Sequence, residues 1–219
     1  PEGRAAWLAA RGIDGGPDAL RVSLFAYEQP DLPALCEAWA GGDREVLVLV
    51  PESRVLGDVC RALGRERLRA GDRVQRGALV TQVLPFTDQA GYDALLWACD
   101  LNFVRGEDSF VRAQWAARPF VWQIYPQADA AHHDKLEAFL VRYLQGLPVA
   151  EADALARFWR AWNGCAPDRA SPAAAWPGFA AAWPALDLQA QRWCDAQAAL
   201  ADLATVLDAF CSHIAHAAR

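Results

Sequence analysis

Hydrophobic positions along this chain follow two rhythms. Short blocks that are apolar at nearly every position, Leu20 to Tyr27, Glu45 to Val50, Ala78 to Leu84, Leu101 to Val104 and Phe120 to Tyr125, alternate with longer stretches of helical spacing. A solid apolar block of this length suits a strand covered on both faces, and a period of three to four suits an amphipathic helix. The helical stretches are Leu32 to Ala40 after the turn at Pro30-Asp31, Val55 to Leu63, Gln89 to Ala98, one opening on Glu107-Asp108-Ser109, and the spans 130–145 and 149–163. Strand and helix in alternation predict an α/β fold, a Rossmann-like parallel sheet of five strands flanked by helices.

The flanks break this rhythm. Residues 4–11 read as the end of a helix and Gly12 to Pro17 as a flexible joint, so residues 1–19 are expected to be an interdomain helix end and linker. Arg65 to Asp72 is charged and reads as a loop. Beyond Gly164, Pro167, Pro172, Pro177 and Pro184 interrupt a run of alanines and tryptophans, a segment expected to be too broken for long helices. Leu186 to Ala217 returns to helical spacing, with Leu188, Trp193, Leu200, Leu203, Val206, Leu207 and Phe210 among its apolar positions. The expected division is therefore a sheet domain over 20–185 and a C-terminal helical segment over 186–219.

Composition narrows the function classes. At 219 residues, 54% hydrophobic and 22% charged, the chain has an ordinary globular make-up. Its net charge is −6, and among 21 basic residues only Lys135 is a lysine; the arginines are scattered among acids. No basic block marks a nucleic-acid surface, and no apolar run is long enough to span a membrane. Six cysteines are widely spaced, with no Cys-Xaa-Xaa-Cys pair and no histidine at zinc spacing, and read as reduced, mostly core residues of a cytosolic protein without a metal site. The ten tryptophans, Trp97, Trp115 and Trp122 among them, read as core. No signal peptide is read. A start at Pro1 and the lack of any methionine lead to the expectation that this is a piece of a longer protein. No Gly-Xaa-Gly-Xaa-Xaa-Gly follows a strand and no Walker loop is present, which disfavours NAD and ATP chemistry.

Chemistry concentrates in Cys99 to Gln127. Arg105 stands at the carboxyl end of a predicted parallel strand, where ligands of such sheets bind. After Gly106 a helix opens, offering unpaired backbone N–H groups and the positive end of its dipole, an anion site suited to a phosphate or diphosphate. Glu107 and Asp108 can cap that helix or accept hydrogen bonds from sugar hydroxyls. Arginine, helix end and paired carboxylates together suggest a nucleotide-sugar; a surface turn and an ordinary cap explain the same residues. No Asp-Xaa-Asp triplet is present to hold a divalent metal.

The run Cys99-Asp100-Leu101-Asn102-Phe103-Val104-Arg105-Gly106-Glu107-Asp108-Ser109, with Arg112-Ala113-Gln114-Trp115 and Trp122-Gln123-Ile124-Tyr125-Pro126-Gln127, closely resembles the bacterial protein-arginine rhamnosyltransferases that modify elongation factor P (EarP). The likeness extends to Ser23-Leu24-Phe25-Ala26-Tyr27-Glu28, Leu84-Pro85-Phe86, Gln89, Tyr92-Asp93, His132 and Lys135 to Leu140, and so covers most of residues 20–145. Ala26 and Thr87-Asp88 depart mildly from the family pattern.

The resemblance implies the C-terminal, donor-binding domain of a two-domain GT-B glycosyltransferase. That enzyme is inverting and metal-independent, and moves rhamnose from dTDP-rhamnose to an arginine of elongation factor P. Phe25 and Phe86, each at a strand end, would sandwich the thymine, Gln89 would meet its edge, and Tyr27 and Tyr125 would donate to the diphosphate. Arg105 and Ser109 would hold the diphosphate; Asp108 and Glu107 would hold sugar hydroxyls and orient the anomeric carbon. With Arg105, these two are the candidate catalytic residues. The general base, an aspartate, and the acceptor surface would lie in an N-terminal domain outside this chain, to which the last helix either crosses or, on a plainer reading, does not, packing on its own sheet instead. His132 and Lys135 share a helix face; outside the resemblance His132 reads as solvated. The alternatives are another GT-B transferase, a sugar-nucleotide epimerase, or a non-catalytic nucleotide-sugar-binding module. No cofactor is expected besides the donor.

Overall fold

In the computed structural model, residues 2–127 and 131–217 are described. The first elements are α1 (Glu2–Ala9), β1 (Leu20–Leu24), α2 (Leu32–Ala40), β2 (Val46–Pro51), α3 (Leu56–Ala62), β3 (Arg73–Arg76), β4 (Leu79–Leu84) and α4 (Gln89–Ala98). There follow β5 (Leu101–Arg105), α5 (Asp108–Trp115), β6 (Phe120–Gln123), α6 (Ala131–Tyr143), α7 (Val149–Trp162), α8 (Pro172–Ala181), α9 (Trp183–Ala198) and α10 (Leu203–Ala217). Residue 130, the expected start of a helix, lies outside the described residues.

The strands form one sheet in the order β3-β4-β2-β1-β5-β6, parallel throughout except that β3 pairs antiparallel with β4. Its five parallel strands thus have the Rossmann-like order. Register follows the apolar blocks: Leu20 lies beside Val46, Val46 beside Leu79, and Val22 beside Leu101. Side chains alternate between faces with period two, so Val46, Val48 and Val50 of β2 enter one hydrophobic cluster while Leu47 and Leu49 enter another on the opposite face. Both faces are buried, which is why the run shows no polar alternation. On the larger face an aromatic core gathers around Phe103, whose ring lies 4.6 Å from Trp162 and 6.1 Å from both Trp39 and Phe158. One buried polar pair interrupts the sheet: the Ser23 hydroxyl donates to Asn102 Oδ1 (2.6 Å), and Asn102 Nδ2 donates to the Leu96 carbonyl (3.1 Å).

Several expectations need correction. A sixth strand, β3, exists; its Arg-Val-Gln-Arg sequence carries no apolar block because it is exposed and is held by pairing with β4. The proline-rich segment carries one helix of ten residues, α8, and the start of α9. Pro172 and Pro184 occupy first turns, where a missing N–H costs nothing, and Pro177 is tolerated inside α8, whose Ala175 and Phe179 are buried next to α7. The terminal run is two helices, because Asp202 accepts from the Thr205 N–H (3.0 Å) and hydroxyl (2.6 Å) and starts α10. Trp97 and Trp115 are exposed, at 57% and 50%, because both sit on outward positions of α4 and α5; Trp122 is buried. At the other terminus, α1 lies against α4, Ile13 is buried, and the Gly16 N–H donates to Glu45 Oε1 (3.0 Å).

Candidate functional site

Strand order reverses at β1: successive parallel strands run outward through β2 and β4 on one side and through β5 and β6 on the other. The crevice outside the carboxyl ends of β1 and β5 is the place where such sheets bind ligands. Two loops meet there. The chain leaves β1 through Phe25, Ala26 and Tyr27, and leaves β5 through Arg105 and Gly106 into α5.

Arg105 bridges the two loops. Its guanidinium carbon lies 4.4 Å from the Phe25 ring centre and 4.8 Å from that of Tyr27. Its Nε is buried and has no hydrogen-bond partner. Beside it the Tyr92 ring packs on Phe25 at 5.3 Å, and the Tyr92 hydroxyl is buried near Ser109 with no partner of acceptable geometry. Burial pushes the Tyr92 phenol up, against the opposing pull of Ser109 and the Arg105 charge, so it stays protonated at neutral pH. Arg105 Nε and the Tyr92 hydroxyl are two of six buried side-chain polar atoms without a partner among the described residues.

The turn between strand and helix is built for close approach. Gly106 has φ +63°, a left-handed conformation, and a Cβ added there would stand 3.2 Å from the Tyr27 hydroxyl oxygen. Trp122 Nε1 donates to the Gly106 carbonyl (2.8 Å), and the Gly106 N–H donates to the Gln123 carbonyl (3.3 Å). Glu107, at the N-cap, makes no side-chain cap, so the capping alternative is not taken. Asp108 instead accepts from Arg112 Nε (2.9 Å), and Arg112 Nη1 meets both Asp93 oxygens at 2.9 Å. The hydrogen bonds Arg112 donates, to Asp93 first and then to Asp108, hold its pKa above the ordinary value. The opening turn of α5 thus keeps its backbone N–H groups available, with Ser109 buried behind them.

The structure therefore brings together Phe25, Tyr27, Arg105 and Ser109, with Glu107 and Asp108 exposed on the same helix start. Tyr125, 55% exposed, joins through an edge contact of 5.6 Å with Tyr27. Phe86 and Gln89 are exposed at the end of β4 and the start of α4. No ring contact joins Phe25 to Phe86 among the described residues; Phe86 lines a hollow of about 320 Å³ with Trp7, Arg11, Gln82 and Leu95. His132 is buried, not solvated, and its Nδ1 accepts from the Gln127 N–H (3.1 Å), while Lys135 is exposed. Sequence reasoning gave no role to Tyr92, Arg112 or Gln123. Arg112, four positions after Asp108, was the one with a readable signal, an i,i+4 ion pair.

Among the described residues no group of three or more His, Cys, Asp or Glu side chains gathers at metal-ligand spacing. What the crevice offers is a cation, a helix start, aromatic faces and two exposed carboxylates.

Comparisons with known proteins place the whole chain beside one family. A family model described as "Elongation-Factor P (EF-P) rhamnosyltransferase EarP" matches residues 1–212. A protein-arginine rhamnosyltransferase of Pseudomonas putida is 48% identical over 206 residues, 94% of this chain and 54% of that protein. One from Pseudomonas aeruginosa is 48% identical over 204 residues, 93% of this chain and 53% of that protein. The chain spans about half the length of the curated relatives it matches. A solved structure concerned with EarP-mediated arginine glycosylation of translation elongation factor EF-P superposes with a TM-score of 0.86 at 46% identity, covering 97% of this chain and 66% of that one.

Proposed function

The chain belongs to the EarP family of EF-P rhamnosyltransferases, and on that premise we propose that it is the donor-binding half of an inverting GT-B glycosyltransferase that moves rhamnose from dTDP-rhamnose to an arginine of elongation factor P. The observation that carries this reading is the Arg105 guanidinium stacked on Phe25 and Tyr27 at the switch point, its buried Nε without a protein partner.

The diphosphate sits against Arg105, the Ser109 hydroxyl and the opening N–H groups of α5. Tyr27 and Tyr125 donate from the rim. Phe25 and Phe86 take the thymine between them, with Gln89 at its edge. Asp108, held by Arg112, and Glu107 accept from rhamnose hydroxyls and orient the anomeric carbon. An acceptor guanidine nitrogen attacks that carbon from the face opposite the diphosphate; the bond to the diphosphate oxygen breaks, and the nitrogen's proton passes to an aspartate of an N-terminal domain outside this chain. Negative charge grows on the departing dTDP, so the Arg105, Ser109 and helix N–H donors bind the transition state more tightly than the bound donor. Each charge-assisted hydrogen bond contributes about 1.5–3 kcal/mol. A protein cation and helix end serve where other transferases use a divalent metal.

The exposed apolar side chains of α10, Leu203, Val206, Leu207 and Phe210, support a crossing of this helix onto that N-terminal domain. The setting is cytoplasmic, as the acceptor requires; no described helix is long and apolar enough to cross a membrane.

The test is calorimetric titration of the complete protein carrying this chain with dTDP-rhamnose, dTDP and UDP-glucose, with Phe86→Ala as control. Selective binding of dTDP-rhamnose, weakened in the control, is expected. Equal affinity for UDP-glucose would return the site to another GT-B transferase, and no binding of either nucleotide-sugar would remove the donor reading.

A further inference from the structure

We infer that Gln123 is a positioning residue for the donor site, a clamp that fixes Tyr27 beneath Arg105 by holding the backbone of the β1 exit loop from the far side of β5; this rests on the donor-site reading above. Gln123 ends β6, level with Arg105 of β5 in the strand register. The sheet order places β5 between β6 and β1, so to reach the β1 loop its side chain passes the end of β5. It is buried at 6% exposure, and both ends of its amide are used: Oε1 accepts from the Tyr27 N–H at 2.7 Å, and Nε2 donates to the Glu28 carbonyl at 3.3 Å. Its own carbonyl takes the Gly106 N–H. One residue thereby ties the loop bearing Tyr27 to the turn bearing Gly106, where the Tyr27 hydroxyl meets the start of α5.

The bonds of Gln123 have no role that the sheet ladder needs, since β1 ends at Leu24. The next residue of the loop is fixed separately: the Gln29 N–H donates to Asp58 Oδ2 (2.5 Å) and Gln29 Nε2 to the Trp162 carbonyl (2.8 Å). With the Phe25 N–H held by the Phe103 carbonyl (3.0 Å) and the Gln29 anchor in place, loss of Gln123 releases only the stretch between them, which carries Tyr27. A ring free to leave Arg105 must be ordered again when the diphosphate arrives, and that ordering weakens binding.

The experiment is a double-mutant cycle on the complete protein, read by calorimetric affinity for dTDP-rhamnose. Gln123→Met keeps the side-chain length and removes both hydrogen bonds; affinity is expected to fall about tenfold. In a Tyr27→Ala background the same change is expected to cost less than about twofold, because the ring it positions is gone. A merely structural role would give the same loss in both backgrounds and overturns the inference, as does unchanged affinity in Gln123→Met. Wild-type protein that binds no dTDP-rhamnose overturns instead the donor reading on which the inference stands. If Gln123→Met does not fold, Gln123→Glu, which keeps the acceptor for the Tyr27 amide and forfeits the donor to Glu28, carries the same cycle.

Discussion

The guanidinium of Arg105 lies face-on to the Phe25 ring, 4.4 Å from its centre, with its Nε buried and without a partner. A cation in that position is fixed by aromatic faces and keeps its hydrogen-bonding capacity for something else. Arg105→Ala is therefore expected to weaken dTDP binding roughly 10- to 100-fold, from about 1.5–3 kcal/mol of charge-assisted hydrogen bonding. Thermal stability should change little. A calorimetric titration beside a melting curve separates the two, and unchanged affinity removes Arg105 from the site.

Asp108 is 72% exposed at its side chain and tied to Arg112, and the function proposed above gives the nucleotide to other residues. Asp108→Asn is expected to lose rhamnosyl transfer by at least about tenfold while dTDP affinity stays within about twofold. Steady-state transfer to the acceptor protein, with a parallel dTDP titration, checks the split. Loss of dTDP affinity in step with transfer would place Asp108 on the nucleotide instead.

Gly106→Ala combines a left-handed backbone with a methyl group beside the Tyr27 hydroxyl. The conformational penalty is about 1 kcal/mol. Affinity for dTDP-rhamnose should fall further than this stability loss, because Tyr27 must move. Urea denaturation and calorimetry on one preparation compare the two.

Burial pushes the Cys36 thiol up to about 12 and raises Cys99 further, while Cys211 is exposed. Native protein treated with iodoacetamide at pH 8 should be labelled at Cys211 first and at Cys36 and Cys99 only after unfolding. Peptide mass mapping over time shows the order; early labelling of Cys99 would contradict its enclosure.

Glu137 accepts from Arg160 twice at 2.7 Å, and that pairing holds its carboxyl below the ordinary 4.5. The folded state thus binds the proton less tightly than the unfolded chain. The contribution is present above about pH 4.5 and is lost as pH falls through the lowered folded value. Both side chains are partly exposed, so the pair contributes less than about 1 kcal/mol. Glu137→Gln should lower the melting midpoint slightly at pH 7 and flatten its decline between pH 5 and 3; an equally steep decline in the variant would assign the acid sensitivity elsewhere.

What could be read in advance depended on range. Leu32–Ala40 and Gln89–Ala98 were legible to the residue, since local period, turn residues and caps all act within a few positions. The five parallel strands were legible because burial on both faces leaves solid apolar blocks, and the place of Arg105 at a strand end before a helix start was legible by local pattern alone. Tyr92 against Phe25 and Gln123 against Tyr27 were not legible. The latter pair are 96 residues apart, and only the strand order makes them neighbours. His132 was misjudged for the same reason: its helix face meets loop residues that no periodicity reveals. Trp97 and Trp115 show the reverse error, large aromatic residues on outward helix positions. Pro177 was overruled by burial of the helix around it.

The short β3 strand has a consequence for how this protein keeps company with itself. A parallel sheet that stopped at β4 would present its apolar outermost strand, with unpaired N–H and C=O groups, to any neighbouring molecule. Instead the sheet closes on Arg73 and Arg76, both exposed, with Arg73 bonded to Gln82 and the Asp14 carbonyl and Arg76 to Glu37. A second copy approaching that edge meets like charge before it meets backbone, so the strand guards the sheet against edge-to-edge aggregation.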